Sequence, residues 1–353
     1  MTGEPQQGKR RTWLIVVAVV AVIIVAAVIA GMAFLNTGKQ GLRANGSSNA
    51  IPASAAKVVT HDGKRYRQNT NIASILVLGS DKENGASHGE GLNGQADAIV
   101  VVAVDTEKDK VTCLSIPRNT MVDINVQRAG EFFGTHNLQI CLAYALGQDD
   151  AESAELMCTA VSRLLYNTPM DNVFTLDLAA IDDLTDAVGG VEVVALEDIP
   201  FTDIKEGDTV LLQGRKGHVI HMEGDDYSWD SGIATWYVRY RNPENLDSPL
   251  QRQARGMQFI RAFVDKALEV AKGDPAVLGN LYDIALQHST TDLDASEFAY
   301  LASVLIAGGY SNVEFVSLEG EMVYNDKSEW AQFIPDKESL YQAVLDIYYE
   351  PID

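Results

Sequence analysis

Acidic and basic side chains follow the ends of several apolar segments in this sequence. Two carboxylates among several guanidinium groups suit a magnesium ion that bridges a diphosphate, because Mg²⁺ takes one or two carboxylates and leaves its other positions to water and phosphate oxygens. Arginine forks bind phosphate oxygens in pairs. Ligands of open α/β sheets bind at the carboxyl ends of strands, so we expect these side chains to converge there. In chain order they are Ser80, Asp81, Asp97, Arg118, Asn119, Arg239 and Arg241.

Each of these residues also has a purely structural interpretation. Asp81 and Asp97 are of a type that ends turns, Arg118 suits a surface ion pair, and two later arginines suit a solvated strand face. The glycine-rich loop ENGASHGEGLNGQA before Asp97 matches no phosphate-binding loop pattern, and no G-x-S-x-G is present. Residue types and spacing therefore leave the anion site and the structural alternatives open.

The strands and helices that must position these side chains can be predicted from the periodicity of hydrophobic residues along the sequence. IASILVLGS, DAIVVVAVD and KVTCLSIP are apolar runs typical of buried strands, and the polar TEKD between the last two predicts a hairpin. AESAELMCTAVSRLL carries a helical stripe, and AAIDDLTDAVGG predicts a helix that a glycine pair ends. The predicted apolar face of the first helix contains Leu156, Met157, Ala160, Val161, Leu164 and Leu165.

Later segments complete an alternation of strands and helices. VFTLDL, VEVVAL and VEFVSLEG read as strands, and KESLYQAVLDIYY reads as a final helix. ATWYVRYR is predicted as a strand that turns Arg239 and Arg241 to one face. Gln251–Lys272 is predicted as a long amphipathic helix, and Thr291 or Asp292 as the N-cap of another. The pattern predicts an α/β domain with a central mixed sheet flanked by helices in three layers.

The N-terminal segment predicts a membrane anchor. Trp13–Leu35 is an unbroken apolar run, and about 20 residues suffice to cross the hydrocarbon core. Lys9, Arg10 and Arg11 precede it, so the N-terminus is predicted to be cytoplasmic and the main domain extracellular at the cell membrane. A cleaved signal peptide is the alternative, with a small-x-small site at Gly31-Met32-Ala33.

These features divide the chain into five predicted parts. They are a cytoplasmic tail, a transmembrane helix, a linker rich in Gly, Ser, Asn, Ala and Gln, a main domain, and a C-terminal extension packed on the same domain. The predicted ranges are 1–12, 13–35, 36–71, 72–272 and 273–353.

Composition narrows the possible partners. The formal net charge is −22, which argues against a general nucleic-acid binder because the phosphate backbone needs a basic face. The three cysteines, Cys113, Cys141 and Cys158, lie in apolar runs and are predicted to be buried thiols. His218 and His221 form the only close histidine pair, which is a weak metal signal without a nearby cysteine.

Five of these motifs, in their order behind an N-terminal anchor, resemble the LytR-CpsA-Psr family of cell-envelope proteins. ILVLGSD, ADAIVVVAVD and KVTCLSIPRNT resemble the opening of the family domain. DLAAIDDLTDAVGGVEV resembles its helix and strand leading into the site, and ATWYVRYRNPENLD resembles its arginine-bearing segment and the acidic loop that follows. The resemblance spans roughly Ile72 to Lys272.

The resemblance implies a reaction and a set of site residues. It implies Mg²⁺-dependent transfer of a glycopolymer, such as teichoic acid, from an undecaprenyl-diphosphate carrier to peptidoglycan, with the lipid tail in an apolar tunnel. The polyprenyl-diphosphate-linked glycopolymer and peptidoglycan are thus the implied partners. By position, Asp81 and Asp97 match metal-linked carboxylates, and Asp97, Arg118 and Asp247 match catalytic residues. The implied diphosphate-binding positions are Gln95, Arg118, Arg239 and Arg241.

The sequence also departs from the family pattern. Gln95 stands where the family usually carries Arg, Asn119 where it carries Asp, and His136 where Lys is expected. Pro249 and Leu250 occupy the start of the last site helix, where the family is rich in arginine, so Arg252 and Arg255 align only loosely with the family pattern. Residues 215–232 look like an insertion. Three functions remain in competition: an active transferase, a non-catalytic polyprenyl-diphosphate-binding scaffold, and an envelope regulator of the kind that the label "transcriptional attenuator" describes.

Overall fold

The structure is a computed structural model that describes residues 32–45, 55–80, 94–128, 130–178, 180–217, 219–224, 227–240, 248–274, 276–308, 313–324 and 331–352. The predictions for Asp81, Arg241 and Asp247, and for the apolar run up to Gly31, fall outside these ranges.

The helices of the described residues are α1 (Met32–Asn45), α2 (Leu142–Ala145), α3 (Asp150–Leu164), α4 (Ala180–Ala187), α5 (Ile233–Arg239), α6 (Ser248–Gly273), α7 (Ala276–Gln287), α8 (Ala295–Gly308) and α9 (Lys337–Tyr348). The strands are β1 (Val58–His61), β2 (Lys64–Gln68), β3 (Ile72–Ser80), β4 (Ala96–Asp105), β5 (Lys110–Ser115), β6 (Met121–Arg128), β7 (Glu131–Gln139), β8 (Asn172–Asp177), β9 (Val191–Val194), β10 (Thr209–Leu212), β11 (Val219–Gly224), β12 (Tyr227–Gly232), β13 (Ser289–Thr291), β14 (Val313–Ser317), β15 (Gly320–Tyr324), β16 (Ala331–Pro335) and β17 (Tyr349–Ile352).

A six-stranded mixed sheet in the order β13-β8-β3-β4-β5-β14 forms the centre of the fold. Strand β3 runs parallel to β8 and antiparallel to β4, and β4 and β5 form the predicted hairpin. The C-terminal part of the chain supplies β14, which pairs parallel with β5. The extension is therefore built into the same sheet.

Both faces of the sheet are covered, as a buried run of alternating apolar residues requires. On β3, Ala73, Ile75 and Val77 pack in one core, and Leu76 and Leu78 pack in the other. The first core includes residues of α1 and of α4 through α8, and the second includes residues of α2, α3 and α9. The predicted three-layer α/β arrangement is confirmed.

Most of the predicted helices form for the local reasons that the sequence indicates. The Asp149 side chain caps α3 by accepting a hydrogen bond from the Glu152 amide. All six residues of its predicted apolar face are buried. Helix α4 ends before Gly189 and Gly190, whose φ angles of 81° and 102° favour glycine.

Two local predictions were wrong. ATWYVRYR was predicted as a strand, but Ile233–Arg239 is helix α5, so the alternation argument for Arg239 and Arg241 does not hold. The apolar residues of this segment pack against α4 and α6, and this tertiary packing overrides its aromatic and β-branched composition. The cap of α8 is Asp294, which accepts hydrogen bonds from two amides of the first turn, and Thr291 is instead the end of β13.

The prediction of a linker over 36–71 also needs correction. Within it, α1 continues to Asn45 and β1 pairs with β2. Leu42 is fully buried, Lys39 forms an ion pair with Asp109, and an added Cβ at Gly41 would lie 2.8 Å from Glu297 Oε1. The described residues of this segment, 36–45 and 55–71, are therefore packed onto the domain.

No helix among the described residues has both the length and the apolar character needed to cross a bilayer.

Candidate functional site

The candidate site lies at one edge of the central sheet. Strands β3 and β8 end there with Ser80 beside Asp177, and the antiparallel β4 begins there. Ser80 pairs with Ala96 and Gly79 pairs with Ala98, so the residue between them, Asp97, is the extra residue of a β-bulge. Bulges redirect a side chain next to a functional site, and this one sets the direction of the Asp97 carboxylate.

Backbone hydrogen bonds hold the loop that carries Arg118. The Thr120 amide donates to Pro117 O at 2.9 Å, which closes a tight turn after β5. The Cys141 amide donates to Arg118 O at 3.2 Å, and Cys141 O accepts from the Ala96 amide at 3.4 Å. The backbone of Cys141 therefore ties the Arg118 loop to the start of β4.

Arg118 uses this position to contact three side chains. Its Nη1 forms an ion pair with Asp97 Oδ1, and its Nη2 donates to Gln95 Oε1. The Sγ of Cys141 lies 3.5 Å from Nη2. A fork held on several sides is pre-organised for an anion, because little side-chain freedom remains to be lost on binding.

Arg252, on α6, is the fourth side chain of this group. Its Nη1 lies 3.5 Å from Asp97 Oδ2, so the two carboxylate oxygens of Asp97 face two different guanidinium groups. The side chains of Arg118, Arg252 and Asp97 are 25%, 22% and 19% exposed, which leaves each of them partly open to a ligand. We refer to Gln95, Asp97, Arg118 and Arg252 as the arginine cluster.

The structure thus brings together three of the predicted site residues and adds one. Gln95, Asp97 and Arg118 are in contact, as expected. Arg252 had been aligned only loosely, because nothing in its local sequence distinguishes it from the other arginines of α6. The available signal was helical position, since it lies in the first turns of a helix that packs on the sheet.

Arg239 is half-buried at the C-terminal end of α5. The turn that carries it is held by Arg255, a fully buried arginine that donates to backbone carbonyls of α5 and forms an ion pair with Glu197. Burial lowers the pKa of Arg255, although Glu197 opposes this shift. Arg255 thus fixes the turn that carries Arg239.

The C-terminal extension closes another side of the Arg118 loop. Asn119 Nδ2 donates to Ala331 O at 2.7 Å, and Asn119 O accepts from the Phe333 amide at 2.8 Å. Gln139 donates to the same carbonyl at 2.8 Å. The amide at position 119 is suited to this contact, because a carboxylate has no hydrogen to donate to a carbonyl oxygen.

Two further departures from the family pattern are His136 and the stretch 215–232. His136 is exposed on β7. The stretch that looks inserted forms the hairpin β11–β12, and its end is fixed by buried Asp182, which accepts from the Gly232 amide at 2.7 Å. Burial raises the pKa of Asp182, while these backbone donors work against the shift.

The prediction of buried thiols is confirmed for two of the three cysteines, whereas Cys158 is only partly buried. All three are free thiols, and Cys113 and Cys141 are buried. Burial raises the pKa of the Cys158 thiol to about 12, so it is not a nucleophile. What the sequence did not show is that Cys141 contacts the arginine cluster.

Comparison with known proteins agrees with this arrangement. The family model of the LytR_cpsA_psr family matches residues 37–344. The chain belongs to this family.

Among curated proteins, this family member resembles two from Bacillus subtilis. It is 27% identical over 275 residues to polyisoprenyl-teichoic acid--peptidoglycan teichoic acid transferase TagV, covering 76% of this chain and 61% of the relative. It is 29% identical over 205 residues to the transferase TagT, covering 58% of this chain and 55% of TagT. The matched region thus spans less than two thirds of either relative.

Solved structures show the same fold. The crystal structure of B. subtilis TagV matches with a TM-score of 0.55 and 21% identity, covering 78% of this chain and 95% of that one. A structure described as TagT bound to LI-WTA matches with a TM-score of 0.50 and 21% identity, covering 78% and 89%.

Proposed function

We propose that this protein transfers a glycopolymer from a polyprenyl-diphosphate carrier to peptidoglycan. The observation that carries the proposal is the arginine cluster: two partly exposed guanidinium groups from separate elements share one carboxylate at the sheet edge where such folds bind ligands. The curated relatives are named as transferases that move teichoic acid to peptidoglycan, which supports the same class of reaction here.

The cluster suits the charge changes of phosphoryl transfer. An acceptor hydroxyl oxygen forms a new bond to the phosphorus that carries the glycopolymer, the P–O bond to the lipid phosphate breaks, and lipid monophosphate leaves. Arg118 and Arg252 are placed to neutralise charge on the diphosphate and the leaving group. The hydroxyl proton passes to a carboxylate, and Asp97 or Asp247 is proposed for that role.

Magnesium fits this donor set only together with the diphosphate. Asp97 offers one carboxylate, but two guanidinium groups face it, and their charge opposes a bare cation. Diphosphate oxygens would supply the remaining ligands and the compensating charge. We propose that Asp97, with Asp81, holds Mg²⁺, which when bound would polarise the phosphoryl oxygens.

The proposal is tested with the full-length protein in detergent or proteoliposomes, Mg²⁺, a polyprenyl-diphosphate saccharide and peptidoglycan fragments. Release of lipid monophosphate with transfer of the saccharide is expected. Arg118→Ala is expected to lower the rate by about 10²–10³. Arg65→Ala, which changes an exposed arginine on β2, is the matched control. Absence of turnover by the unaltered protein would contradict the proposal.

The location of the protein is also a proposal. The apolar run Trp13–Leu35 and the basic residues before it support a single-pass cell-membrane anchor with the main domain outside. Protease added to intact cells is expected to degrade the domain and to leave a short N-terminal tag protected. Release of the domain without detergent would support cleavage of the anchor instead.

A second candidate function is a scaffold that binds the lipid diphosphate without turnover. The observation favouring it is Gln95, whose side chain accepts a hydrogen bond from Arg118 where the family usually carries a further arginine. Mg²⁺-dependent binding of the lipid without product would select this function. Gain of turnover in Gln95→Arg would support it further, because that change adds the missing positive charge.

A further inference from the structure

Arg255 lies one turn beyond Arg252 on α6, and its environment is entirely different. Its side chain is 1% exposed. Its guanidinium carbon lies over the rings of Tyr237 and Tyr240, at 5.9 Å and 5.4 Å from their centroids. A buried guanidinium charge is stable only when its N–H donors have hydrogen-bond acceptors.

Those donors are directed at the end of α5. Arg255 Nε donates to Tyr237 O at 2.6 Å, and Nη2 donates to Tyr240 O. The last carbonyls of a helix have no partner within the helix and need donors from elsewhere. Arg255 supplies them from a neighbouring helix, on both sides of Arg239.

The remaining guanidinium nitrogen, Nη1, contacts an acidic side chain from another segment. Arg255 Nη1 forms an ion pair with Glu197, which follows β9. The same segment is tied to α5 and α6 a second time, because Tyr237 Oη donates to Gln258 Oε1 and Gln258 Nε2 donates to Val194 O, both at 2.6 Å. The end of α5 is therefore fixed by two independent contacts.

Stability alone does not explain this arrangement. A buried ion pair contributes little net stability compared with well-packed apolar side chains of similar volume, since both charges lose their hydration. It does impose one geometry, because a planar fork with three fixed acceptors allows little rotation. The element whose geometry it fixes carries Arg239 in its last turn.

We propose that Arg255, held by Glu197, is a positioning residue that fixes Arg239 for contact with the diphosphate. The inference rests on the proposed function and adds to it. Arg255 itself does not touch the ligand in this scheme. It sets where the Arg239 backbone lies, and a displacement of about 1 Å at a reacting group can lower the rate about a hundredfold.

The test is Arg255→Lys, which keeps the charge but cannot reach three acceptors at once. In the full-length protein with a polyprenyl-diphosphate saccharide, it is expected to lower kcat/KM about tenfold or more. In an Arg239→Ala background the same change is expected to cost less than about twofold, since there is no longer an arginine to misplace. Lys266→Met, in an exposed ion pair with Glu269 on the same helix, is the matched control.

Folding is followed separately by circular dichroism and thermal unfolding. Should Arg255→Lys fail to fold, Glu197→Gln provides the second variant, because the amide keeps the shape of the side chain and one acceptor oxygen. It is expected to show the same dependence on Arg239 with a smaller loss of about three- to tenfold in kcat/KM.

The outcomes separate this inference from the proposed function. A loss of equal size with and without Arg239, or no loss at all in an active protein, would overturn the positioning role alone. An unaltered protein that does not convert the lipid diphosphate, whether or not it binds it, would overturn the proposed function, and the positioning role with it.

Discussion

Arg252 and Arg255 lie three residues apart on one helix, and they differ in almost everything that matters for function. Arg252 is 22% exposed and shares a carboxylate with Arg118, whereas Arg255 is 1% exposed and is surrounded by backbone carbonyls, an acid and two aromatic rings. An arginine that keeps part of its surface open can exchange a protein partner for a ligand. An arginine whose donors are all directed inward holds other elements in place.

The comparison shows that the surroundings of an arginine side chain, and not its residue type, determine whether it can bind a ligand or holds other elements in place. Both side chains are arginines of the same predicted helix. The helix turns by about 300° over three residues, and a long side chain amplifies that offset. One guanidinium therefore reaches the sheet edge while the other enters the space between α5, α6 and the segment after β9.

The largest expected effect is on stability, from Arg255→Met. Removing the guanidinium leaves the Glu197 carboxylate and two backbone carbonyls without their donor, so the free energy of unfolding should fall by about 3–5 kcal/mol. Urea denaturation measures it. The matched variant Arg252→Ala, at a partly exposed position, should lower it by about 1 kcal/mol or less. Equal losses of unfolding free energy in the two variants would contradict the difference proposed between Arg252 and Arg255.

The next largest effect is on activity, from Arg118→Ala. Loss of one donor to the developing charge should lower the turnover rate by about 10²–10³. Unfolding in urea should change little, because the Arg118 side chain is partly exposed. Steady-state release of lipid phosphate measures the rate. A variant that lost stability but kept its turnover rate would place Arg118 with Arg255 as a structural residue.

A smaller effect is expected from Asn119→Asp, which restores the residue that the family usually carries. The new carboxylate would face Ala331 O, where the amide donates at 2.7 Å, so the unfolding free energy should fall by about 1–3 kcal/mol. Thermal unfolding at neutral pH tests this, with Asn125→Asp, at a half-buried position of β6, as a control. An unchanged or raised unfolding temperature would show that the loop accommodates the family residue.

The smallest effect concerns the partly buried ion pair of Asp109 with Lys39 on α1. Burial opposes ionisation of Asp109, but hydrogen bonds from Lys39 and Tyr300 outweigh it and lower the pKa of Asp109. A carboxyl whose pKa is lower in the folded state adds stability above its ordinary pKa of 3.8, and this contribution is lost as pH falls through the folded value.

Asp109→Asn should therefore reduce stability at pH 7 by about 1 kcal/mol or less, and the difference from the unaltered protein should shrink below about pH 4. Urea unfolding at a series of pH values measures it, and Lys39→Met should show the same trend. A difference that persists unchanged into acid would show that the contact is not electrostatic.

Much of the fold could be predicted because its causes are local. The boundaries of β3 were read from one apolar run, and the glycine pair after α4 marked its end. The segment that became α5 could not be read in this way. Its aromatic and β-branched residues favour a strand, and only packing against α4 and α6 makes it a helix.

For the candidate site, Asp97 and Arg118 could be predicted because each lies at an end of a recognisable strand, and Gln95 was implied by the family resemblance. The sequence did not indicate the contact of Cys141 with Arg118, or the choice of Arg252 over Arg255. The first joins residues 23 positions apart on different elements. The second joins residues 155 positions apart and depends on a bulge at Asp97 that one extra residue creates.

The sequence by itself determined most of the alternation of strands and helices, the two-sided core and the family to which the chain belongs. These follow from periodicity and residue type within short windows. Only the tertiary structure decided that α1 packs on the domain, that α5 is a helix, and that one arginine of α6 faces the site while its neighbour supports it from within. These outcomes depend on which distant parts of the chain pack together. Their energies come from burial that exists only in the folded protein, so short sequence windows do not contain them.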